Sequence, residues 1–359
     1  MVICKGNSKV CNQGFAPQWH SSYLYPMDSL TQIVLGAAVG EKILGRKIGN
    51  RAMLYGAIAG TIPDLDVVLG LFLDPLTAVE IHRGFSHSLL FFILIAPLLG
   101  WFIARKETES KVSMMNGASL VFWALFTHAL LDAFTTWGTQ LLWPMGYKFA
   151  FRSIFVVDPL YTIPFLFCLI MAMRKARTDY SRTLWNNRGL KISSAYLALT
   201  LVLKGITYYK FQQALTLSGM EVLQLETKPT PLNTILWTAT AETKNDYWIG
   251  DYSFLDTKTI TFKRYPKQWE LLAGFEKDRT IQRLIALSEG NYTVTKKDQK
   301  CYFNDLRFGL LDRNETNPQF AFSYELIPSE KGFQALEVPK TKKEGVLLLH
   351  QLWKRILGN

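Results

Sequence analysis

Three of the five histidines lie in two short segments with apolar flanks, residues 82–87 (HRGFSH) and 128–132 (HALLD). A third segment, residues 63–66 (PDLD), adds two carboxylates in a similar setting. Imidazoles and carboxylates are the usual nitrogen and oxygen ligands of a divalent metal ion. Such groups are costly in apolar sequence unless they are paired or used. The three segments therefore predict a metal site embedded in a membrane domain.

His128 and Asp132 are four residues apart in a helical pattern, so their side chains project from one face of the helix. The paired histidines of zinc proteases have the same spacing, which lets one helix supply two ligands. The alternative is a buried histidine that hydrogen-bonds to its own helix neighbour. An unpaired carboxylate in this uncharged apolar run would be costly, which favours the metal interpretation.

Pro63 follows a helical segment rich in small residues and is expected to end that helix. Asp64 and Asp66 would then project close to the helix end. The alternative is that one of these aspartates caps the next helix. The two roles are compatible, with one aspartate capping and the other coordinating.

Residues 82–88 (HRGFSHS) form the most specific stretch of the chain. Gly84 permits a tight turn between His82 and His87, and the serines can cap the apolar helix that follows. Arg83 offers a planar cationic fork suited to a phosphate group. Its alternative role is that of a structural partner for one of the acids.

We expect a divalent ion bound by nitrogen and oxygen, with zinc favoured and manganese as the alternative. Metal-activated water would be the nucleophile, with Arg83 holding the phosphate. Asp66 could serve as the base on that water if it is not a ligand. The sequence has neither a Gly-rich phosphate loop nor a nucleophile elbow. The full predicted ligand set is Asp64, Asp66, His82, His87, His128 and Asp132.

Apolar runs that could span a membrane, which takes about 20 residues, lie in the first 209 residues. Two shorter segments are rich in glycine and alanine, which let helices approach closely. We therefore predict an α-helical polytopic membrane domain with about four to six membrane helices. Buried helices of a soluble α-domain are the alternative for the short segments. The runs are residues 88–103, 112–131, 154–173 and 192–209, and the short segments are 30–43 and 52–62.

The net charge of +11 comes from basic residues gathered in loops between the apolar runs, rather than from a nucleic-acid-binding stripe. Under the positive-inside rule, loops 42–51, 105–111 and 174–191 are cytoplasmic. This orientation, chosen from lysine and arginine alone, brings every predicted ligand to the outer side. It also predicts that the C-terminal domain is extracytoplasmic.

Three regions follow from these patterns. Residues 1–26 read as an N-terminal extension before Met27, residues 27–209 as the membrane-embedded metal-site domain, and residues 210–359 as a soluble domain of mixed α and β structure. Partly alternating β-branched and aromatic residues indicate its strands. The predicted strands are residues 234–240, 247–254, 257–264, 292–296 and 319–326, and the predicted helices are 269–276, 280–288 and 345–357.

Taken in order, the segments 63–66, 82–88, 128–132 and 138–144 (GTQLLWP) resemble the YdjM-like, LexA-binding, inner-membrane-associated family of metal-dependent hydrolases. The resemblance covers roughly residues 27–175. It implies a helical membrane domain distantly similar to the fold of zinc phospholipase C and single-strand nucleases, in a bacterial inner membrane. Many relatives carry a histidine where this chain has Gln32. By this resemblance the ligands would be Asp64, His82, His87, His128 and Asp132.

The expected function is a membrane-bound, metal-dependent hydrolase of phosphoesters, with a small-molecule or lipid-linked substrate. The expected partner is membrane lipid rather than nucleic acid, and the sequence identifies no protein partner. The alternative is a non-catalytic membrane protein, in which the metal holds helices together and the C-terminal domain binds a partner.

Overall fold

The structure, a computed structural model, describes residues 29–312, 318–329, 332–340 and 342–359. The predicted extension at residues 1–26 lies outside the described residues. The described chain divides into two compact units. The first comprises residues 29–206 with 228–234, and the second comprises residues 207–227 with 235–359.

The first unit is helical, and most of its helices match apolar or small-residue segments of the sequence. Short 3-10 turns at Pro63–Leu65 and Phe85–His87 join some of the helices. The helices are α1 (Ser29–Ile48), α2 (Asn50–Thr61), α3 (Asp66–Gly70), α4 (Pro75–Ile81), α5 (Leu89–Lys106), α6 (Met114–Ala133), α7 (Pro159–Met173) and α8 (Tyr180–Leu217), the last of which continues into the second unit.

Within the described residues, three helices are long and apolar enough to cross a membrane, namely α5, α6 and α8. A fourth candidate is the pair formed by α2 and residues Pro63–Gly70, which is bent by 43°. The predicted number of four to six membrane helices is therefore not confirmed. The predicted run 154–173 shortens to 15 residues, because α7 begins only at Pro159 after the Asp158 N-cap.

The basic segment 174–191, predicted as a connector, is helical from Tyr180 onward and forms the start of α8. Its charge does not prevent a helix, since lysine and arginine are good helix formers. Arg182 is buried here and pairs with Glu41 of α1 through Nε and Nη2, at 2.7 and 2.5 Å. Arg182 Nη1 also donates to Asn50 Oδ1 at 2.7 Å. This tertiary ion pair anchors a segment that has no hydrophobic pattern of its own.

Glycines set the separation of α1 and α2. A Cβ atom at Gly36 would overlap the carbonyl oxygen of Gly56, and one at Gly56 would overlap the carbonyl oxygen of Gly36. One turn away, a Cβ at Gly40 would overlap the carbonyl oxygen of Ala52. The packing role predicted for the small residues of these helices is thus observed, because only glycine lets the two backbones approach this closely.

Basic residues collect at the end of the unit where α1 finishes and α6 begins. Lys47 Nζ donates to Asn116 Oδ1 at 2.9 Å, and Arg51 Nη1 lies 3.1 Å from Glu107 Oε2. Asp132 is 16 residues further along α6, about 24 Å from Asn116 along the helix axis. The basic residues predicted in the loop 42–51 lie instead at the end of α1 and the start of α2. They and the predicted ligands lie at opposite ends of α6, which agrees with the polarity expected from the sequence.

The second unit contains two four-stranded sheets in the orders β1-β2-β3-β4 and β5-β6-β7-β8. Pairs β2–β3, β3–β4 and all pairs of the second sheet are antiparallel. This confirms a mixed α and β domain. Its elements are β1 (Gln224–Pro229), β2 (Leu236–Glu242), β3 (Asp246–Ser253), β4 (Phe262–Pro266), α9 (Arg279–Leu287), β5 (Tyr292–Lys297), β6 (Lys300–Asp312), β7 (Gln319–Ser329), β8 (Gly332–Glu337) and α10 (Lys342–Ile356).

We predict that Gly56→Ala lowers stability by about 1–3 kcal/mol, because the added methyl group must push α1 and α2 apart. Gly205→Ala is the matched control, since this glycine also lies in a long helix but a Cβ there meets no atom within 4 Å. The measurement is the thermal midpoint of both variants in detergent. Equal midpoints for Gly56→Ala and Gly205→Ala would contradict the close-packing argument.

Candidate metal centre

Asp64 is positioned by the end of α2. The helix stops at Thr61, and Pro63 opens a 3-10 turn that ends at Leu65. Proline cannot donate the hydrogen bond that would continue the helix, so the chain turns at this point. The turn leaves the Asp64 side chain 15% exposed and directs it towards α6.

His87 is the last residue of a 3-10 turn directly before α5. Arg83 has a positive φ of 62°, and Gly84 adopts an irregular conformation after it, which folds the chain back tightly. Ser88 then caps α5 by accepting a hydrogen bond from the backbone N–H of Phe91 at 3.2 Å. The tight turn and the cap together hold the buried His87 ring at the start of α5.

His128 and Asp132 come from the last turns of α6, one helical turn apart on the same face. Both side chains are buried. The structure brings these two residues together with Asp64 and His87, so that one ligand atom from each lies within 4.8 Å of the others. The possible metal site thus joins a turn, a helix N-terminus and a helix face that are far apart in sequence.

The separations of the four side chains fit one metal ion. His87 Nε2 lies 3.4 Å from Asp64 Oδ1 and 3.3 Å from Asp132 Oδ2. His128 Nε2 lies 3.1 Å and 3.6 Å from the same two oxygens, and 3.2 Å from His87 Nε2. Four ligands about 2.1 Å from a tetrahedral ion are about 3.4 Å from one another. The observed distances of 3.1–3.6 Å match this value.

Hydrogen bonds on the far side of each ring place the imidazole protons away from the site. His128 Nδ1 lies 2.6 Å from the carbonyl oxygen of Gly60, which can only accept, so Nδ1 carries the proton. His87 Nδ1 lies 2.9 Å from Ser86 Oγ, whose own proton goes to Asp66 Oδ2 at 2.7 Å. In the neutral form of each ring, the lone pair of Nε2 is therefore directed towards the site.

The residues present fit a divalent cation. Two imidazole lone pairs and two carboxylate oxygens converge, and Asp64 Oδ1 and Asp132 Oδ2 are buried without a hydrogen-bond partner. With both rings neutral, these four acceptors repel one another, and buried carboxylates need a counter-charge. An ion bound by two nitrogens and two oxygens would satisfy all four atoms, and zinc or manganese suits this ligand set.

Asp66 and His82, also predicted as ligands, lie beside the four-residue group rather than in it. Asp66 Oδ1 is 2.7 Å from His82 Nδ1, and Asp66 Oδ2 accepts from the backbone N–H of Arg83 at 3.2 Å and from Ser86 Oγ. Both carboxylate oxygens of Asp66 are therefore engaged by neighbours in the 82–87 turn. The side chain of His82 is 19% exposed and stands at the edge of the site.

Arg83 is buried and oriented towards Asp132. Its Nε lies 3.4 Å from Asp132 Oδ2, and its Nη1 donates to Thr135 Oγ1 at 2.9 Å. This arrangement corresponds to the structural alternative, in which Arg83 is a partner for one of the acids. The positive charge also partly offsets the two carboxylates of the site.

Gln32 supports the site from α1, since its Nε2 donates to Asp132 Oδ1 at 3.1 Å and leaves Oδ2 for an ion. Gln32, Arg83, Asp132 and Thr135 also line a cavity of about 20 Å³, which is room for roughly one water molecule. The sequence did not reveal the role of the Gly60 carbonyl, because a backbone acceptor has no signature in the residue types. The sequence predicted that a serine of this stretch could cap the following helix. It did not predict that Ser86 hydrogen-bonds to both His87 and Asp66.

We predict that purified protein reloaded with zinc or manganese holds about one ion per chain, as one tetrahedral site requires. His87→Ala and His128→Ala should abolish binding, because each removes a ligand. Ser86→Ala should weaken binding by about 10–100-fold, since it frees the His87 ring. Elemental analysis and metal titration measure both effects, and His350→Ala, an exposed histidine of α10, is the control.

Wild-type protein that holds no metal after reloading would contradict this assignment. The histidines would then be packing residues of the helical unit. Loss of metal in His350→Ala as well would point to non-specific histidine binding rather than to the four-residue site.

Comparison with known proteins places the site in a family. The chain is 32% identical over 141 residues to the inner membrane protein YbcI of Escherichia coli (strain K12), covering 37% of this chain and 78% of YbcI. It is 29% identical over 144 residues to the uncharacterized protein YfhP of Bacillus subtilis (strain 168), covering 37% of this chain and 42% of YfhP. No solved structure matches the chain significantly. The profile of the YdjM inner membrane proteins matches residues 27–212, which include the whole metal centre, and the chain therefore belongs to the YdjM inner membrane protein family.

Proposed function

We propose that this protein is a metal-dependent hydrolase of phosphoesters that works at the surface of the bacterial inner membrane. The observation that carries the proposal is the group of two imidazoles and two carboxylates, whose ligand atoms lie within 4.8 Å of one another and in which each Nε2 lies 3.1–3.6 Å from both carboxylate oxygens. The family and the name of the YbcI relative support the inner-membrane location. The candidate spanning helices agree with that location.

A divalent ion held by Asp64, His87, His128 and Asp132 would polarise a phosphoester oxygen and lower the pKa of nearby water. His82 is the proposed general base. Its Nδ1 is 2.7 Å from Asp66 Oδ1, so its Nε2 is left to take a proton from the attacking water. Asp66 would stabilise the imidazolium that forms, as an aspartate does for the histidine of a catalytic triad. The base role considered for Asp66 itself is thereby transferred to its partner.

Arg83 would have two tasks. Its Nε faces Asp132 at 3.4 Å and would hold that carboxylate in its charged, ion-binding form. Its Nη1 is already bonded to Thr135, so binding of a substrate phosphate would have to use the remaining N–H groups of the guanidinium. The first task agrees with the contacts described above, and the second is retained as part of the proposal.

A lipid-linked substrate fits the surroundings of the open edge. Asp64 and His82 are the partly exposed members of the site, and their chain neighbours Leu65 and Ile81 are exposed apolar residues. Phe85 is also exposed and packs edge-to-face on Trp143, with ring centroids 5.1 Å apart. An acyl or polyprenyl chain would find apolar contacts here while its phosphoester reaches the ion.

A second candidate function is a structural metal centre in a non-catalytic membrane protein. The ligand count favours this candidate, because four protein ligands close a tetrahedral site, whereas catalytic zinc usually keeps one position open. The partial exposure of Asp64 favours the hydrolase, since this carboxylate is the one that water or substrate can reach. The two candidates predict different roles for His82. It is the general base in the hydrolase, and it has no catalytic role in the structural centre.

The proposed topology keeps the basic loops in the cytoplasm, with the metal centre and the C-terminal unit on the outer side. The polarity of α6, with Lys47 near its start and Asp132 near its end, supports this orientation. A reporter fused after Asn359 that is active only outside the cytoplasm tests it. Cytoplasmic activity of that fusion would reverse the orientation.

We predict that metal-loaded protein in lipid vesicles hydrolyses a member of a phosphoester panel that includes lipid phosphates. His82→Gln should retain the ion but lose about 100-fold or more in rate, because general base catalysis contributes about 10²–10⁴-fold. His128→Ala should lose both the ion and the activity. Rates and metal content measured on the same samples separate the two effects.

Chelation provides the control for the structural alternative. If the metal-loaded wild type hydrolyses nothing in the panel and chelation lowers its thermal midpoint, the structural centre is correct and the hydrolase is rejected. Equal activity of His82→Gln and wild type would remove His82 from the mechanism while leaving the metal centre intact.

A further inference from the structure

The last helix of the chain carries an exposed apolar stripe. On α10, Val346, Leu349 and Trp353 are 70%, 49% and 64% exposed, and Leu357 just beyond the helix is 59% exposed. Spacings of three, four and four residues place these side chains on one side of the helix. The stripe extends over 11 residues, about 16 Å along the axis. The described part of the chain therefore leaves a continuous apolar surface on its final helix.

The opposite side of α10 packs against the second unit. The stripe is therefore exposed on a helix that is fixed in place. Ile356 is buried, and its carbonyl accepts from Ser253 Oγ at 2.7 Å. Arg355 binds Asp256 with two hydrogen bonds of 2.5 and 2.6 Å and donates to the carbonyl of Asp251 at 3.1 Å. These contacts fix the rotation of α10 about its axis, and that rotation presents the stripe outwards.

The segment that carries the stripe is rich in basic residues. Residues 340–355 contain five lysines and arginines and a single acid, Glu344. Lys354 is exposed next to Trp353, at the border of the stripe. An apolar helix side with tryptophan and a basic flank is the composition of helices that lie in the headgroup region of anionic membranes. The positive charge of the exposed Lys354 complements an anionic bilayer.

We propose that α10 lies along the surface of an anionic bilayer, with Val346, Leu349, Trp353 and Leu357 inserted at the level of the lipid headgroups. Tryptophan prefers that level because its ring is apolar and its N–H is polar. A stable protein interface buries about 800 Å² on each partner, which is more than four side chains on one helix provide. The family places residues 27–212 in a membrane, so the unit that carries α10 is tethered to a bilayer.

The proposal does not depend on the hydrolase. It assigns the second unit a lipid contact that is separate from the metal centre. The two assignments are tested by substitutions at different residues. Loss of the ion through His128→Ala is expected to leave the α10 contact unchanged.

The test uses the full chain in vesicles with a photo-reactive benzoylphenylalanine at position 353. Position 351 is the matched control, because Gln351 is also exposed but points about 160° away around the helix. Vesicles of phosphatidylglycerol and phosphatidylcholine are irradiated, and the C-terminal peptide is analysed by mass spectrometry. We expect lipid adducts at position 353 in clear excess over position 351, and lower yields in pure phosphatidylcholine.

A charge variant tests the same contact without a probe in the stripe. Lys354→Glu removes one positive charge and adds a negative one, and each charge near an anionic surface changes binding by about 5-fold. The lipid adduct at position 353 should therefore decrease strongly in this variant. Lys277→Glu, at another exposed lysine of the same unit, should leave the adduct yield unchanged.

Three results would overturn the proposal. Adducts between two chains would show that the stripe contacts a second copy, and adducts to another segment of the same chain would show an internal contact. Equal lipid yields at positions 353 and 351 would show that the stripe has no preferred contact with the bilayer. Thermal midpoints equal to that of the wild type confirm that the labelled proteins are folded in each case.

Discussion

Two imidazole Nε2 atoms lie 3.2 Å apart between two carboxylate oxygens, and with both rings neutral no proton lies among the four atoms. Electrostatic repulsion within such a group is strong in a poorly solvated interior. The surrounding structure nevertheless holds the group together through bonds on its outer side. The Gly60 carbonyl orients His128, the Ser86 hydroxyl orients His87, and the Gln32 amide orients Asp132. Each support directs a lone pair inwards, which is the arrangement a cation stabilises.

The close packing of α1 and α2 positions the groups that orient the ligands. The Gly60 carbonyl reaches His128 only because α2 lies close against α1, and that approach depends on Gly36, Gly40 and Gly56 having no side chains. Gln32, from the same helix α1, then reaches Asp132 across the bundle. The buried pair of Glu41 and Arg182 ties α1 to α8 near the basic end. The glycines thus allow the close approach of two helices that supply groups orienting the ligands.

Much of the fold was predictable from the sequence. The runs at 88–103 and 112–131 correspond to α5 and α6 within a few residues, because long apolar stretches leave few alternatives. The start of α8 was missed because its anchor, the pair with Glu41, is a tertiary contact. Strand β1 was not predicted, and strands β6 and β8 were also missed. The last two are stabilised by pairing with β5 and β7, and such pairing overrides weak local preference.

The sequence by itself determined the membrane class and six candidate residues for the metal group, because the cost of placing histidine and aspartate in apolar sequence marks those positions. Only the tertiary structure separated Asp64, His87, His128 and Asp132 from Asp66 and His82. All six residues have suitable types, and the distinction depends on where the 82–87 turn folds back. That turn uses both oxygens of Asp66 to hold His82, Arg83 and Ser86. Residue type identifies the candidates for coordination, whereas hydrogen bonding decides which of them retain a free lone pair.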